Sequence, residues 1–538
     1  MPGLSARSCF ALLGAVILFF SIIRIRLLNI PLERDEGEYA YSGQLLLQRI
    51  APYRLAYNMK LPGTYAVYSL IMGLFGQTPA GIHAGLLLVN AASVILLFLL
   101  VRRLFGSLAG LITGSSYALL STSASVLGFA AHATHFVVLA ALAGILVLLK
   151  AMDSGRLSLY LASGILLGVA FVLKQPGLVF AGFGGFYLVV NEFQGTKNKE
   201  KDKDWRRLPR HVAFYTAGVV IPFGLTCVIL YSCGVLGKMW FWTFSYGYQY
   251  ASSLTLAQGW QQFLGTAPAV AEPAIFVWII AGIGLAALAW DSRIWKHAVF
   301  AIAFLLFSWA GVCPGLYFRQ HYFILVLPAV CLFVGIAISS AAHELSQYFG
   351  NPAATAIPLF VFLTAMVVSV VGQKQMFFQL DPLAACRSMY GSNPFPEAQA
   401  VSEFLNRETA EDARIAVIGS EPEIYFYSKR HSATGYIYVY PMVEHQKYAL
   451  DMQKDMAKEI EESRPEYMVF VQEPASWLTS PDASTFLLDW FRKYADDHYE
   501  IVEIIDNIPQ TQYIWGDAAK SYRAQSSASM EVFKRRID

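Results

Sequence analysis

The sequence predicts a polytopic α-helical membrane protein that carries a small C-terminal α/β domain. Three observations lead there. Of 538 residues, 56% are apolar and 14% are charged. The apolar residues gather into runs long enough to cross roughly 30 Å of hydrocarbon, an excess that soluble enzymes do not carry. After Val371 the runs shrink to strand length and charge rises.

Roughly eleven spans are expected, at residues 10–28, 83–104, 108–126, 136–150, 157–173, 178–190, 212–231, 274–290, 298–312, 323–342 and 353–371. The first is read as an uncleaved span. Arg7 precedes it, and Arg24, Arg26 and an acidic cluster follow it in place of a small-residue cleavage site. Orientation follows from Lys and Arg in alternate loops. Arg102-Arg103, Lys150 with Arg156, the basic stretch 197–210, and Arg293 with Lys296 belong inside. The acidic cluster, the turn at 132–135, Lys174, an aromatic loop at 240–250 and the segment 319–321 then face outward. This places the N-terminus in the cytoplasm and the C-terminal domain outside. Arg24 and Arg26 oppose the rule and are expected to snorkel or meet headgroups.

The expected boundary sets a membrane domain, residues 1–372, against a soluble domain, residues 373–538. In the latter, strands are expected at 414–419, 467–471 and 499–505 and helices at 444–462 and 482–494. That alternation argues an α/β domain. No catalytic constellation stands out there. The net charge of +2 leaves no basic footprint for nucleic acid. The six cysteines have no metal-ligand spacing and sit mostly in apolar runs.

The chemistry is expected in the first outer loop, which opens Glu33-Arg34-Asp35-Glu36-Gly37-Glu38-Tyr39-Ala40-Tyr41. Ionisable groups beside hydrocarbon are expensive, so a knot of them marks a functional site. Residues 35–48 and 61–75 read as two helices lying at the interface. Asp35 near a helix start is favoured in its charged form, which suits a base or a cation ligand. Lys60, Arg319 and Lys174 are outward cations able to meet a phosphate, Arg319 as a bidentate fork. Anchoring in the headgroup layer is the plainer alternative for each. Tyr39, His132, His135, His321 and Tyr322 are candidates to line a substrate. His132 and His135, at i, i+3 spacing, suit a divalent metal only with a third ligand that the sequence does not supply. The aromatic loop suits sugar stacking or a lipid tail, or simply an interfacial belt.

At these residues the chain resembles the GT-C superfamily of polytopic glycosyltransferases, and within it the family of protein O-mannosyltransferases and lipid A aminoarabinose transferases. The shared pattern is Asp35-Glu36 after the first span, Lys60-Leu61-Pro62, Lys174-Gln175-Pro176 at the outer end of a short span, and Arg319 to Tyr322 before a late one. The resemblance implies inverting transfer of a hexose or pentose from a polyprenyl-phosphate carrier to a lipid, glycan or protein hydroxyl on the outer face. It implies Asp35 as general base, Glu36 as an orienting carboxylate, and Lys60, Arg319 and Lys174 on the lipid phosphate. No cofactor is firmly implied; a divalent metal is compatible. It points to a multi-pass protein of a plasma membrane, in a bacterium the inner membrane, with a periplasmic C-terminal domain.

Two departures stand out. Some relatives place a second carboxylate in the next outer loop, where this chain reads Gly128 to His135 with no acid. The β-trefoil insertion of eukaryotic protein mannosyltransferases has no counterpart here. The competing functions are a transporter or flippase for a lipid-linked sugar, and a structural subunit of an envelope complex. The first predicts charges at the bilayer midplane and an internal repeat; this sequence has neither.

Overall fold

A computed structural model describes residues 6–197, 207–508 and 510–536. Most of the basic stretch expected inside, residues 198–206, lies outside the described residues. The chain divides into two compact units. The first comprises Met1–Leu28, His83–Val228 and Leu254–Leu380; the second comprises Asn29–Ile82, Ile229–Ser253 and Asp381–Asp538.

The first unit opens with helix α1, Ala6–Arg26. All eleven expected runs fold as helices. Among the described residues, however, nine helices are long and apolar enough to cross a membrane. The two that fall short are Ser107–Leu120, with 14 residues, and Leu157–Leu173, with 17. At about 1.5 Å per residue they reach roughly 21 and 25 Å, less than the hydrocarbon layer. Ser107–Leu120 is a core helix, buried from Ala109 to Leu120. Its neighbour Leu327–Leu345 is also largely buried. Gly335 lets the two backbones touch, since a Cβ there would lie 2.4 Å from the Ala109 carbonyl oxygen.

Arg24 and Arg26 do not snorkel. Arg24 is 5% exposed and donates to the carbonyls of Gly128, at 2.8 Å, and Ser121, at 2.9 Å. Arg26 donates to the carbonyls of Met376, Phe377 and Leu380. Carbonyls at helix ends lack intrahelical donors, and guanidinium supplies several at once.

The second unit gathers segments far apart in sequence. The segment that follows α1 supplies helices α2, Arg34–Leu47, and α3, Gly63–Phe75. The C-terminal part supplies strands β1 (Arg414–Ile418), β2 (His431–Ser432), β3 (Tyr467–Gln472), β4 (Tyr499–Ile508), β5 (Gln510–Trp515) and β6 (Ser529–Arg535). They form one sheet in the order β2-β1-β3-β6-β4-β5. β1 pairs in parallel with β2 and β3, while β6 pairs antiparallel with β3 and β4. Helices Ala449–Ser463 and Phe486–His498 stand close to their expected places. The aromatic loop is partly core. Trp242 and Tyr246 are buried with Ala416, Ile418, Met452 and Met456, whereas Trp240 and Tyr248 are exposed. Burial in that core accounts for Trp242 and Tyr246, and removes them as sugar-stacking surfaces.

Candidate active site

Glu33 caps α2. Its backbone is extended, and its side chain accepts from the Glu36 amide at 3.0 Å. This satisfies one of the orphan donors of the first turn and sets Asp35 and Glu36 at the positive end of the helix. The side chains of Asp35 and Glu38 share a face by i, i+3 spacing. Lys60 arrives between them from the segment before α3. The Tyr53 hydroxyl donates to the Lys60 carbonyl at 2.7 Å, and Leu61 is fully buried.

The Lys60 ammonium donates to Asp35 Oδ1 at 2.7 Å and to Glu38 Oε2 at 2.5 Å. The Tyr65 hydroxyl donates to the other Glu38 oxygen at 2.6 Å. The Tyr39 ring lies under the ammonium, with its centroid 4.6 Å away. Burial pushes Glu38 above the usual carboxylate range, and Lys60 opposes that shift. Burial pulls Lys60 down, but Asp35 and Glu38 outweigh it and hold the ammonium above its ordinary value. Side-chain exposure falls from 25% at Asp35 to 16% at Lys60 and none at Glu38. Asp35 is therefore the most exposed member of the triad. The Lys60 ammonium bridges the two carboxylates. Glu36 is 1% exposed.

A further layer holds α2. Arg34 donates to Glu421 Oε1 and Asn393 Oδ1, each at 2.7 Å. Its guanidinium lies 5.2 Å from the Phe395 centroid and 5.9 Å from that of Tyr440. Burial would lower Arg34, yet Glu421 outweighs it and raises it. Glu421 Oε2 accepts from the Ser420 amide and the Ser476 hydroxyl, both at 2.7 Å. The Tyr438 hydroxyl donates to the Arg34 carbonyl at 2.8 Å. At Gly37 the helix touches backbone, for a Cβ there would stand 2.6 Å from the Glu423 nitrogen. Glu423 is fully buried.

The remaining candidates lie in the membrane unit. His132 precedes helix Ala133–Ser154 as its N-cap, so it does not share a helical face with His135. Its ring stacks instead on His321, with centroids 4.0 Å apart and planes at 12°. His321 meets Tyr322 edge-on at 4.8 Å, and the Lys174 ammonium lies 4.5 Å from the Tyr322 centroid. Arg319 stands over Tyr317 at 5.6 Å. His135 is buried, and its ring nitrogens have no hydrogen-bond partner among the described residues.

Sequence reasoning missed Glu38, Tyr65, Arg34 and Glu421 as members of this arrangement. The Asp35–Glu38 spacing is a signal available in the sequence. Nothing local marks Glu421, which comes 387 residues after Arg34.

Residues 60–205 match the family described as Dolichyl-phosphate-mannose-protein mannosyltransferase. No curated protein matches the chain significantly. Among solved structures, ArnT from Cupriavidus metallidurans bound to undecaprenyl phosphate is similar with a TM-score of 0.60, over 98% of each chain, at 15% identity. The chain has the GT-C fold. The apo state of the same ArnT gives a TM-score of 0.56 over 97% of this chain and 98% of that one, at 15% identity. The apo oligosaccharyltransferase of Archaeoglobus fulgidus gives 0.53 over 97% of this chain and 76% of that one, at 12% identity. The likeness runs through both units, so the C-terminal sheet belongs to the GT-C match as much as the helices do.

Proposed function

We propose that this chain is a membrane glycosyltransferase that takes a monosaccharide from a polyprenyl-phosphate carrier and passes it to an acceptor hydroxyl with inversion. The carrying observation is the ion triad of Asp35, Lys60 and Glu38, set at a helix start just after the first span of a GT-C fold. Undecaprenyl phosphate bound to ArnT supports the donor class. The family matched at residues 60–205 supports a lipid-phosphate sugar as well.

In this reading Asp35 accepts the proton of the acceptor hydroxyl while that oxygen bonds to the anomeric carbon. The bond from that carbon to the carrier phosphate breaks, and the phosphate leaves with the electron pair. Lys60 orients Asp35 and shares its charge with Glu38. The cations Arg319 and Lys174 are proposed partners of the departing phosphate, where charge develops most. Glu36, buried behind Asp35, supports the helix start. The sugar is a hexose or a pentose, and the acceptor is a lipid, glycan or protein. We assign the chain to a plasma membrane, in a bacterium the inner membrane, with the C-terminal residues outside.

The test is transfer from radiolabelled polyprenyl-phosphate sugars by purified protein. Asp35→Asn is expected to lose about 100-fold or more in rate with its membrane insertion intact. Wild-type rates in that variant remove Asp35 as the base. A C-terminal reporter found in the cytoplasm overturns the orientation.

A further inference from the structure

The C-terminal part of the second unit holds a cavity of about 1160 Å³, built wholly from its own residues. One wall is the sheet face made by β3, β6 and β4, and the other is helix Phe486–His498. Phe470 and Phe533, both half-buried, stand on the sheet wall, and Leu488 faces them from the helix side. Phe470 stacks on Phe491 at 4.8 Å, and Phe533 meets Phe491 edge-on at 5.5 Å, so the rings form one apolar floor.

The rim carries the opposite chemistry. Arg492, Arg523 and Arg536 line the cavity and are exposed. None has an ion-pair partner among the described residues. Lys520 is already committed to Glu500 at 3.1 Å and Asp517 at 3.2 Å. Glu473, Asp496 and Glu531 also line the cavity, and burial pushes Glu531 above the usual carboxylate range.

A large pocket with an apolar floor and a few convergent charges is the ordinary anatomy of a ligand site. With as many carboxylates as cations on the lining, the rim's preference comes from geometry and not from net charge: the three uncommitted guanidiniums suit a carboxylate or phosphate by bidentate hydrogen bonding. The strands argue against an extended peptide. β3, β6 and β4 each have a hydrogen-bonded neighbour on both sides, so the cavity offers no open sheet edge for strand addition. What the cavity offers is the aromatic side chains of Phe470 and Phe533, an apolar surface for the C–H groups of a pyranose.

We propose that this cavity binds an acidic saccharide, laid on Phe470 and Phe533 with its acid held by the rim arginines, as the acceptor-recognition site of the enzyme. The word acceptor rests on the transferase reading; the binding does not. The test uses the full chain in phosphatidylcholine nanodiscs, without donor, and titration calorimetry with trigalacturonate, maltotriose and hexaglutamate. Trigalacturonate is expected to bind at least tenfold more tightly than either of the others. Arg523→Gln with Arg536→Gln is expected to weaken it tenfold or more with the melting temperature unchanged. Phe533→Leu, which keeps apolar volume and removes the ring, is expected to weaken it threefold or more.

Absence of trigalacturonate binding, equal binding of maltotriose or hexaglutamate, or wild-type affinity in the arginine variant overturns the proposal. Such a failure leaves the Asp35→Asn transfer result untouched. Conversely, binding here by a chain that transfers no sugar separates this site from the transferase reading.

Discussion

Arg34 and Glu421 stand 387 residues apart in sequence and 2.7 Å apart in space, with side-chain exposures of 12% and zero. The residue after Arg34 is the proposed base. The α/β part of the chain thus grips the helix that carries the proposed base, one position away from it.

Breaking that grip should be costly. Glu421→Gln or Arg34→Ala leaves a buried partner uncompensated, at about 3 kcal/mol each. The two losses should not add in the double variant, because they remove one interaction. Thermal unfolding of the four proteins measures the cycle, and hydrogen exchange should rise through Arg34–Leu47 in each variant. Additive losses with unchanged exchange would show that the pair does not hold α2.

Gly37→Ala should reverse the usual rule. In an isolated helix, alanine is better than glycine by about 1 kcal/mol. Here the added carbon would stand 2.6 Å from the Glu423 nitrogen and 2.8 Å from its Cα. Backbone cannot swing aside like a side-chain end, so a loss of about 1–3 kcal/mol is expected. Unfolding measurements should find G37A less stable than wild type, and transfer should fall as α2 shifts.

The triad predicts a ranking. Lys60→Met leaves Asp35 and Glu38 without their common cation. Glu38→Gln keeps the Asp35–Lys60 contact of 2.7 Å and preserves an acceptor for Tyr65. K60M should therefore be the less stable by about 1–3 kcal/mol, and the slower enzyme. Chemical unfolding in one detergent decides the order; E38Q below K60M would mean that the triad is held from Glu38 outward.

Glu503 on β4 predicts a pH dependence. It is fully buried, neither carboxylate oxygen has a hydrogen-bond partner among the described residues, and burial pushes it up to about 8. The unfolded chain releases this proton near pH 4.5, the ordinary value of the group, whereas the folded chain keeps it to about 8. In that window the folded state binds the extra proton, so stability is full below pH 4.5 and falls as pH rises, by roughly 1.4 kcal/mol per unit. Glu503→Gln should flatten the slope between pH 5 and 8. Unfolding midpoints across that range test it, and an unchanged slope would place the proton elsewhere.

Much of this fold was legible because apolar runs and the helices at Arg34–Leu47 and Gly63–Phe75 are local patterns. Asp35 and Lys60 both stand out as charged residues of the loop between the first two spans, though the sequence points Lys60 to a phosphate and not to Asp35. Glu36 could not be separated from Glu38 until the cap at Glu33 fixed the helix register and turned Glu36 away into the core. The aromatic loop misled because Trp242 looks the same in a belt as in a domain core. Arg24 misled for a related reason. A cation near a span end has two outlets, water or bare carbonyls, and only packing decides which is nearer. Strands β5 and β6 escaped notice because polar residues such as Gln512, Glu531 and Lys534 interrupt their apolar pattern.

The Arg34–Glu421 contact also sets a schedule for biogenesis. A ribosome adding roughly 5–20 residues per second needs roughly 20–80 s to travel the 387 positions between the two. Throughout that interval the nascent first loop lacks the tether that holds the helix start beside its proposed base. Translation interrupted before Glu421 is expected to yield fragments whose first loop lacks this tether.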